Sequence, residues 1–326
     1  MNIIKNMSNF AMLTRLYAVP VSVASCAVVL AYAHYSENFS FLNFFLILIA
    51  ICVLQMGANL FDDFIDVKME LKKGLKLEEI NFNSRIKKAQ LIIDGTYSFK
   101  QIKFILAILF LIPSLIGLYF LLCSGWQILI FMALGGILTL IYPISARFYL
   151  SEIIIGLVYG PLIVMGGYFA LTKSFDFNLL LLSFALFSST LVLLQTHSIM
   201  DWEYDEENNK KTLSILSKSK ENAIKVLKGL IIFSYGVVIL GVINLNFNPH
   251  TLYVFFTLPI ATKLLESIKD YINIKDVKFE PKWYYGTFEN WKEIKEKNIA
   301  YFMYRFYLAR NFVLYFALFL AIGTVK

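Results

Sequence analysis

The chain has 326 residues, of which 58% are hydrophobic and only 16% charged, far too apolar a balance for an ordinary soluble domain. Its net charge of +7 does not point to nucleic acid, because the Lys and Arg residues cluster in polar stretches between apolar runs. Cys26, Cys52 and Cys123 lie far apart, in or beside apolar runs, without metal-ligand spacing, and read as small packing residues.

Apolar runs of roughly 20 residues suit helices that cross a bilayer. They predict an all-α, polytopic membrane protein of about nine transmembrane helices, one transmembrane domain over 1–326. The first span, 11–33, carries Arg15 near its start and runs on through Val28-Val29-Leu30. It lacks a small-residue cleavage site, which argues against a signal peptide. The second, 40–61, leads into Asn59-Leu60-Phe61-Asp62-Asp63-Phe64-Ile65-Asp66-Val67-Lys68-Met69-Glu70. The third and fourth, 102–122 and 126–143, end at Tyr142-Pro143, with Arg147 just beyond. The fifth, 152–172, holds Tyr159 and Tyr168. The sixth, 178–199, is followed by Asp201-Trp202-Glu203-Tyr204-Asp205 and then by Lys210 and Lys211. The seventh and eighth cover 224–245 and 250–267, and the ninth 301–324. Between the last two, 268–299 is polar and aromatic, with Trp283, Tyr284, Tyr285 and Trp291. It reads either as an amphipathic segment in the headgroup layer or as a cytoplasmic loop.

Positive charge alternates along this list. After the second span come Lys68, Lys72, Lys73, Lys76, Arg85, Lys87 and Lys88; after the sixth, Lys210, Lys211, Lys218 and Lys220; after the eighth, Lys269, Lys275, Lys278, Lys282, Lys292, Lys295 and Lys297. The intervening loops His34–Ser40, Cys123–Gly125, Lys173–Asn178 and Asn246–Pro249 carry almost none. Positive charge stays inside, so the N-terminus and both acidic clusters face the cytoplasm of a cell-membrane protein and the C-terminus lies outside.

Helical residues four apart stack on one face. Asp62, Asp66 and Glu70 form one ladder, Asn59 and Asp63 a second, and Asp201, Asp205 and Asn209 a third. Like charges so placed repel, and carboxylates at a membrane boundary call for a compensating cation. Oxygen donors without His or Cys suit Mg²⁺, which keeps waters and binds through a few carboxylates plus substrate phosphate. Arg15, Lys68, Arg147, Lys210 and Lys211 are placed to take further phosphate charge. An apolar cavity behind such a head site fits a polyprenyl diphosphate, whose allylic cation an electron-rich aromatic carbon attacks. Tyr142, Tyr149, Tyr159 and Tyr168 are candidates to face that cation, although packing or interface anchoring is the commoner role for any one of them. For Glu203, Glu206 and Glu207 alone a solvated helix face suffices.

The same residues resemble the UbiA-type intramembrane prenyltransferases, and most closely the 1,4-dihydroxy-2-naphthoate polyprenyltransferases of menaquinone synthesis. The first family motif, N-D-x-x-D-x-x-x-D, corresponds to Asp62-Asp63-Phe64-Ile65-Asp66-Val67-Lys68-Met69-Glu70. The second corresponds to the stretch from His197-Ser198-Ile199-Met200-Asp201 to Asp205 and on to Asn209-Lys210-Lys211-Thr212-Leu213. Softer matches are Tyr142-Pro143, Leu150-Ser151-Glu152 and Gly160-Pro161, and the likeness extends to about Leu265. It implies a nine-helix bundle around a central cavity open to the cytoplasmic side. It also implies Mg²⁺-dependent prenyl transfer to a dihydroxynaphthoate-like acceptor, which loses its carboxylate. Asp63, Asp66, Asp201 and Asp205 would be catalytic, with Asp62, Asp66, Glu70, Asp201 and Asp205 toward metal; Asn59 and Tyr142 would join the basic residues at the substrate. The chain departs from the motifs at Asp62 (family Asn), Glu70 (Asp), His197-Ser198 (Asn-Asn), Met200 (Arg) and Asn209 (Gly). His197 is either a structural residue or a proton carrier. Two alternatives stand beside this reading: the same fold prenylating another phenol or a lipid phosphate, and a cation-coupled transporter. The transporter fits less well, since transport sites lie near the bilayer midplane.

Overall fold

The computed structural model describes residues 2–80, 89–244, 247–273 and 279–325. Arg85, Lys87, Lys88, Lys275 and Lys278 of the charge pattern lie outside them. Among the described residues every regular element is helical, and nine helices are long and apolar enough to cross a membrane. They are Leu16–Ala33, Phe41–Lys72, Phe99–Ser124, Ile128–Ser145, Ser151–Thr172, Phe177–Met200, Lys220–Asn244, Pro249–Ile272 and Ala300–Thr324. A short helix, Asn2–Leu13, precedes the first. The ninth span packs against the first, sixth and eighth, and the seventh lies along the sixth. The third and fourth are the least enclosed, and their outward Leu, Ile and Phe side chains suit lipid.

Apolar side chains gain little by leaving lipid for one another, so small residues and polar bridges hold the bundle. Ser188 Oγ donates to Leu230 O at 2.7 Å, Gln195 Nε2 to Ala223 O at 3.2 Å and Ser124 Oγ to Ala170 O at 2.7 Å. Gly160 lets the fifth span approach the sixth; a Cβ there would meet Ser183 O at 2.8 Å. The adjoining Pro161 has no N–H to give, and the fifth span takes a π-helical turn over Val158–Leu162.

Three expectations need correction. The second span does not end at 61: the helix, capped by Ser40 Oγ accepting from Asn43 N, runs to Lys72. Nothing breaks it before Gly74, whose φ is +93°, and the whole first acidic cluster rides on one rigid rod. The sixth span stops at Met200, and the second cluster continues on a separate helix, Trp202–Glu207. Asp205 N still donates to Asp201 O at 2.9 Å, but Asn209 lies past that helix with φ +52° and is not a third rung. Asn enters the left-handed region more readily than most residues, so it serves where the family motif has Gly. Lastly, the eighth span runs through Ile272, so the polar segment begins later than 268. Residues 279–299 then fold back on the ninth span. Asn311 Nδ2 donates to Tyr285 O at 2.8 Å and Thr287 O at 2.9 Å, and Tyr307 Oη to Glu289 O at 3.0 Å. Arg310 pairs with Glu289 at 2.6 Å.

Candidate active site

Contacts among their connecting loops put Arg15, both acidic clusters and Arg147 at one end of the bundle. Arg15 sits at the corner between Asn2–Leu13 and the first span, with φ +50°. Its guanidinium pairs with Asp63 and lies 3.4 Å from Asp62 Oδ2. Both carboxylates are buried, where a charge is costly unless paired and hydrogen-bonded. Asn59 Nδ2, one turn below, donates to Thr14 O at 3.3 Å and ties the corner to the second span. Asp66 is half-buried one turn further along. Glu70 turns to Lys73, 2.7 Å away. Lys68 is exposed, over the Phe64 ring at 5.2 Å.

The second cluster is built around Asp205, which is buried. Lys210 Nζ lies 3.9 Å from its carboxylate, and Lys210 N donates to Asp205 O at 2.8 Å. Burial pushes the Asp205 carboxyl up to about 7; Lys210 and the Thr212 hydroxyl oppose the shift, while Asp201 and Glu152 add to it. Glu152, also buried, accepts from Leu213 N at 3.1 Å and from Ser151 Oγ at 2.7 Å. It thereby holds the 210–213 loop against the fifth span.

The loop after the fourth span joins the two clusters. Arg147 reaches Met69 Sδ at 3.4 Å, on the second span. Its neighbour Ala146 O accepts from Lys211 N at 2.7 Å. Lys211 Nζ stands over Tyr149 at 5.7 Å and Lys210 Nζ over Tyr204 at 4.6 Å. Two candidate residues make other contacts. Tyr168 meets Tyr32 edge-on at 5.6 Å, beside Asp176 at the opposite end. His197 stacks on Phe306 of the ninth span at 4.8 Å, its Nε2 buried without a hydrogen-bond partner. Met200, in place of the family Arg, is enclosed in the core.

Behind the first cluster lies a cavity of about 270 Å³. The second to fifth spans wall it with apolar side chains; Asn59 and Tyr142 mark its acidic end, and Ser22, Gln55 and Tyr159 a polar point further in. The sequence reading passed over Glu152 as a site residue, and over Ser22 and Gln55. A carboxylate opening a span and an amide inside one are the signals that mark them.

Among the described residues no three His, Cys, Asp or Glu side chains converge as a ligand set. The donors are carboxylates alone, partly neutralised by Arg15 and Lys210. That chemistry fits a hard cation that arrives with a diphosphate and keeps its waters, not an ion caged by protein.

The UbiA prenyltransferase family pattern matches residues 22–283. No curated protein matches the chain. Among solved structures it is similar to a digeranylgeranylglyceryl phosphate synthase, at 15% identity over 99% of both chains with a TM-score of 0.59. It is also similar to an apo UbiA homolog from Aeropyrum pernix K1, at 15% identity over 93% of this chain and 97% of that one, with a TM-score of 0.60. At such identity the likeness is one of fold.

Proposed function

The chain belongs to the UbiA prenyltransferase family, and from that premise we propose that it moves a polyprenyl group from a polyprenyl diphosphate to a dihydroxynaphthoate-type acceptor. It is an integral membrane prenyltransferase; the acceptor, Mg²⁺ and a cytoplasmic site are the proposal. The observation that carries it is the meeting of an apolar cavity with a charged head site: Asn59 lines the cavity and bonds the corner that holds Arg15 on Asp62 and Asp63.

The cavity receives the reacting end of the prenyl chain and the acceptor ring, and leaves the diphosphate among Arg15, Arg147, Lys210 and Lys211. Asp66 and Asp201, with Asp63, Asp205 and Glu70 near by, would hold Mg²⁺, which when bound would supply charge stabilisation to the leaving group. The C1–O bond breaks and its electron pair departs with diphosphate. A ring carbon of the acceptor provides the pair for the new C–C bond and releases its carboxylate as CO₂. Tyr142, at the acidic end of the cavity, offers its π face to the allylic cation. The dry apolar wall keeps water from that cation.

A second reading changes only the acceptor, to a lipid phosphate, in keeping with the name of the digeranylgeranylglyceryl phosphate synthase that shares the fold. Membranes given a ladder of prenyl diphosphates with either 1,4-dihydroxy-2-naphthoate or a prenylglyceryl phosphate decide between them by product mass. We expect the decarboxylated, prenylated naphthoquinol; a prenylated glyceryl phosphate alone reverses the assignment.

A further inference from the structure

One polar point interrupts the apolar wall of the cavity. Ser22 Oγ, from the first span, donates to Gln55 Oε1 of the second at 2.6 Å, and Gln55 Nε2 donates to Ala18 O at 3.0 Å. The Tyr159 side chain, from the fifth span, lines the same stretch of the cavity and faces Ser22 and Gln55. Ser25 Oγ holds the Tyr159 carbonyl at 2.7 Å. All three side chains line the cavity, and Gln55 uses only one amide N–H on Ala18 O. Tyr159 stands in the π turn Val158–Leu162, an irregularity found mostly at functional sites.

The level of this node matters. Gln55 lies four residues below Asn59 and seven or eight below Asp62 and Asp63 on one unbroken helix, which is about 6 Å and 11 Å along its axis. With diphosphate at the carboxylate level, prenyl C1 comes to rest near Asn59. Displacement in line with the leaving group puts the attacking carbon about 3 Å further in. The polar substituents of the acceptor then fall beside the node.

Resting on the proposed function, we infer that Gln55, Ser22 and Tyr159 form the acceptor subsite: they take a ring hydroxyl or carbonyl and select which ring carbon faces C1. Their role is orientation. A hydroxyl, an amide and a phenol leave a purely hydrocarbon chain nothing to recognise, so the node discriminates among acceptors and not among prenyl lengths.

The test is steady-state kinetics of the full chain in nanodiscs, with farnesyl diphosphate and 1,4-dihydroxy-2-naphthoate varied in turn, for wild type, Tyr159→Phe and Gln55→Leu. Tyr159→Phe removes a single oxygen and guards against misfolding. We expect the acceptor KM to rise roughly fivefold to tenfold in Tyr159→Phe, with the farnesyl diphosphate KM within about twofold of wild type. The preference of wild type for the dihydroxy acceptor over 1-hydroxy-2-naphthoate should shrink in both variants. If wild type turns over while Tyr159→Phe keeps its acceptor KM, or raises both KM values together, the node is only a helix bridge and the inference falls. If wild type prenylates no naphthoate, the underlying functional reading falls with it.

Discussion

At the scale of single residues, the proposed head site turns on Arg15. It is the paired cation for two buried carboxylates, one of which, Asp62, stands where the family motif has Asn. Removing one partner of a buried pair leaves the other charge uncompensated. Arg15→Ala should therefore destabilise the protein by about 3 kcal/mol, and adding Asp62→Asn should restore part of that loss. Thermal unfolding in detergent measures the cycle; purely additive effects would show that the two residues do not communicate. Asp205 makes a second prediction. Burial holds its carboxyl at about 7, and only the ionised form attracts a cation. Affinity for Mg²⁺-diphosphate should be full above pH 8 and fall as pH drops through about 7, approaching tenfold per unit below it. In Asp205→Asn this dependence should disappear. Binding curves from pH 6 to 8 check both, and an unchanged slope in Asp205→Asn would assign the titration to another group.

At the scale of elements, the decisive features are where helices fail to stop and where they bend. The second span carries its acidic ladder on continuous helix, so Asn59, Asp62 and Asp66 keep fixed relative heights. The fifth span takes a π-helical turn around Gly160-Pro161, with Tyr159 on the cavity wall. The 279–299 segment is an element without its own core; it depends on Asn311, Arg310 and Tyr307 of the ninth span. Asn311 lies eleven residues into that helix, about 16 Å along it, and exposed Trp283 projects from the segment. Irregular backbone at such a position persists only while its carbonyls find donors. Asn311→Ala should raise amide exchange across 279–299 at least tenfold, with exchange in the sixth span unchanged. Equal protection in the variant would mean that the aromatic contacts of Phe288 and Trp291 alone hold the segment.

At the scale of the whole molecule, nine spans were legible because bilayer thickness imposes a length and a hydropathy on each helix. The rungs Asp62 and Asp66 were legible too, because helical spacing needs no tertiary information. What escaped depended on contacts between distant segments. Asn209 continues the spacing of Asp201 and Asp205 but follows a helix that ends early to seat Lys210 and Lys211 against the fourth-span loop. Glu152 looks like a boundary charge until Leu213 N is found beside it, and Ser22 and Gln55 become a node only when the first, second and fifth spans meet. His197, beside the motif in the sequence, lays its ring on Phe306, a contact that spacing alone does not show. The central claim remains that two carboxylate clusters at one end of the bundle jointly serve a cation-bound diphosphate at the mouth of an apolar cavity. Its most direct measurement is Mg²⁺-dependent diphosphate release and prenyl transfer by Asp66→Ala and Asp201→Ala in nanodiscs, beside folded, equally expressed wild type. The account predicts loss of at least a hundredfold in each variant, and full transfer by either one contradicts it.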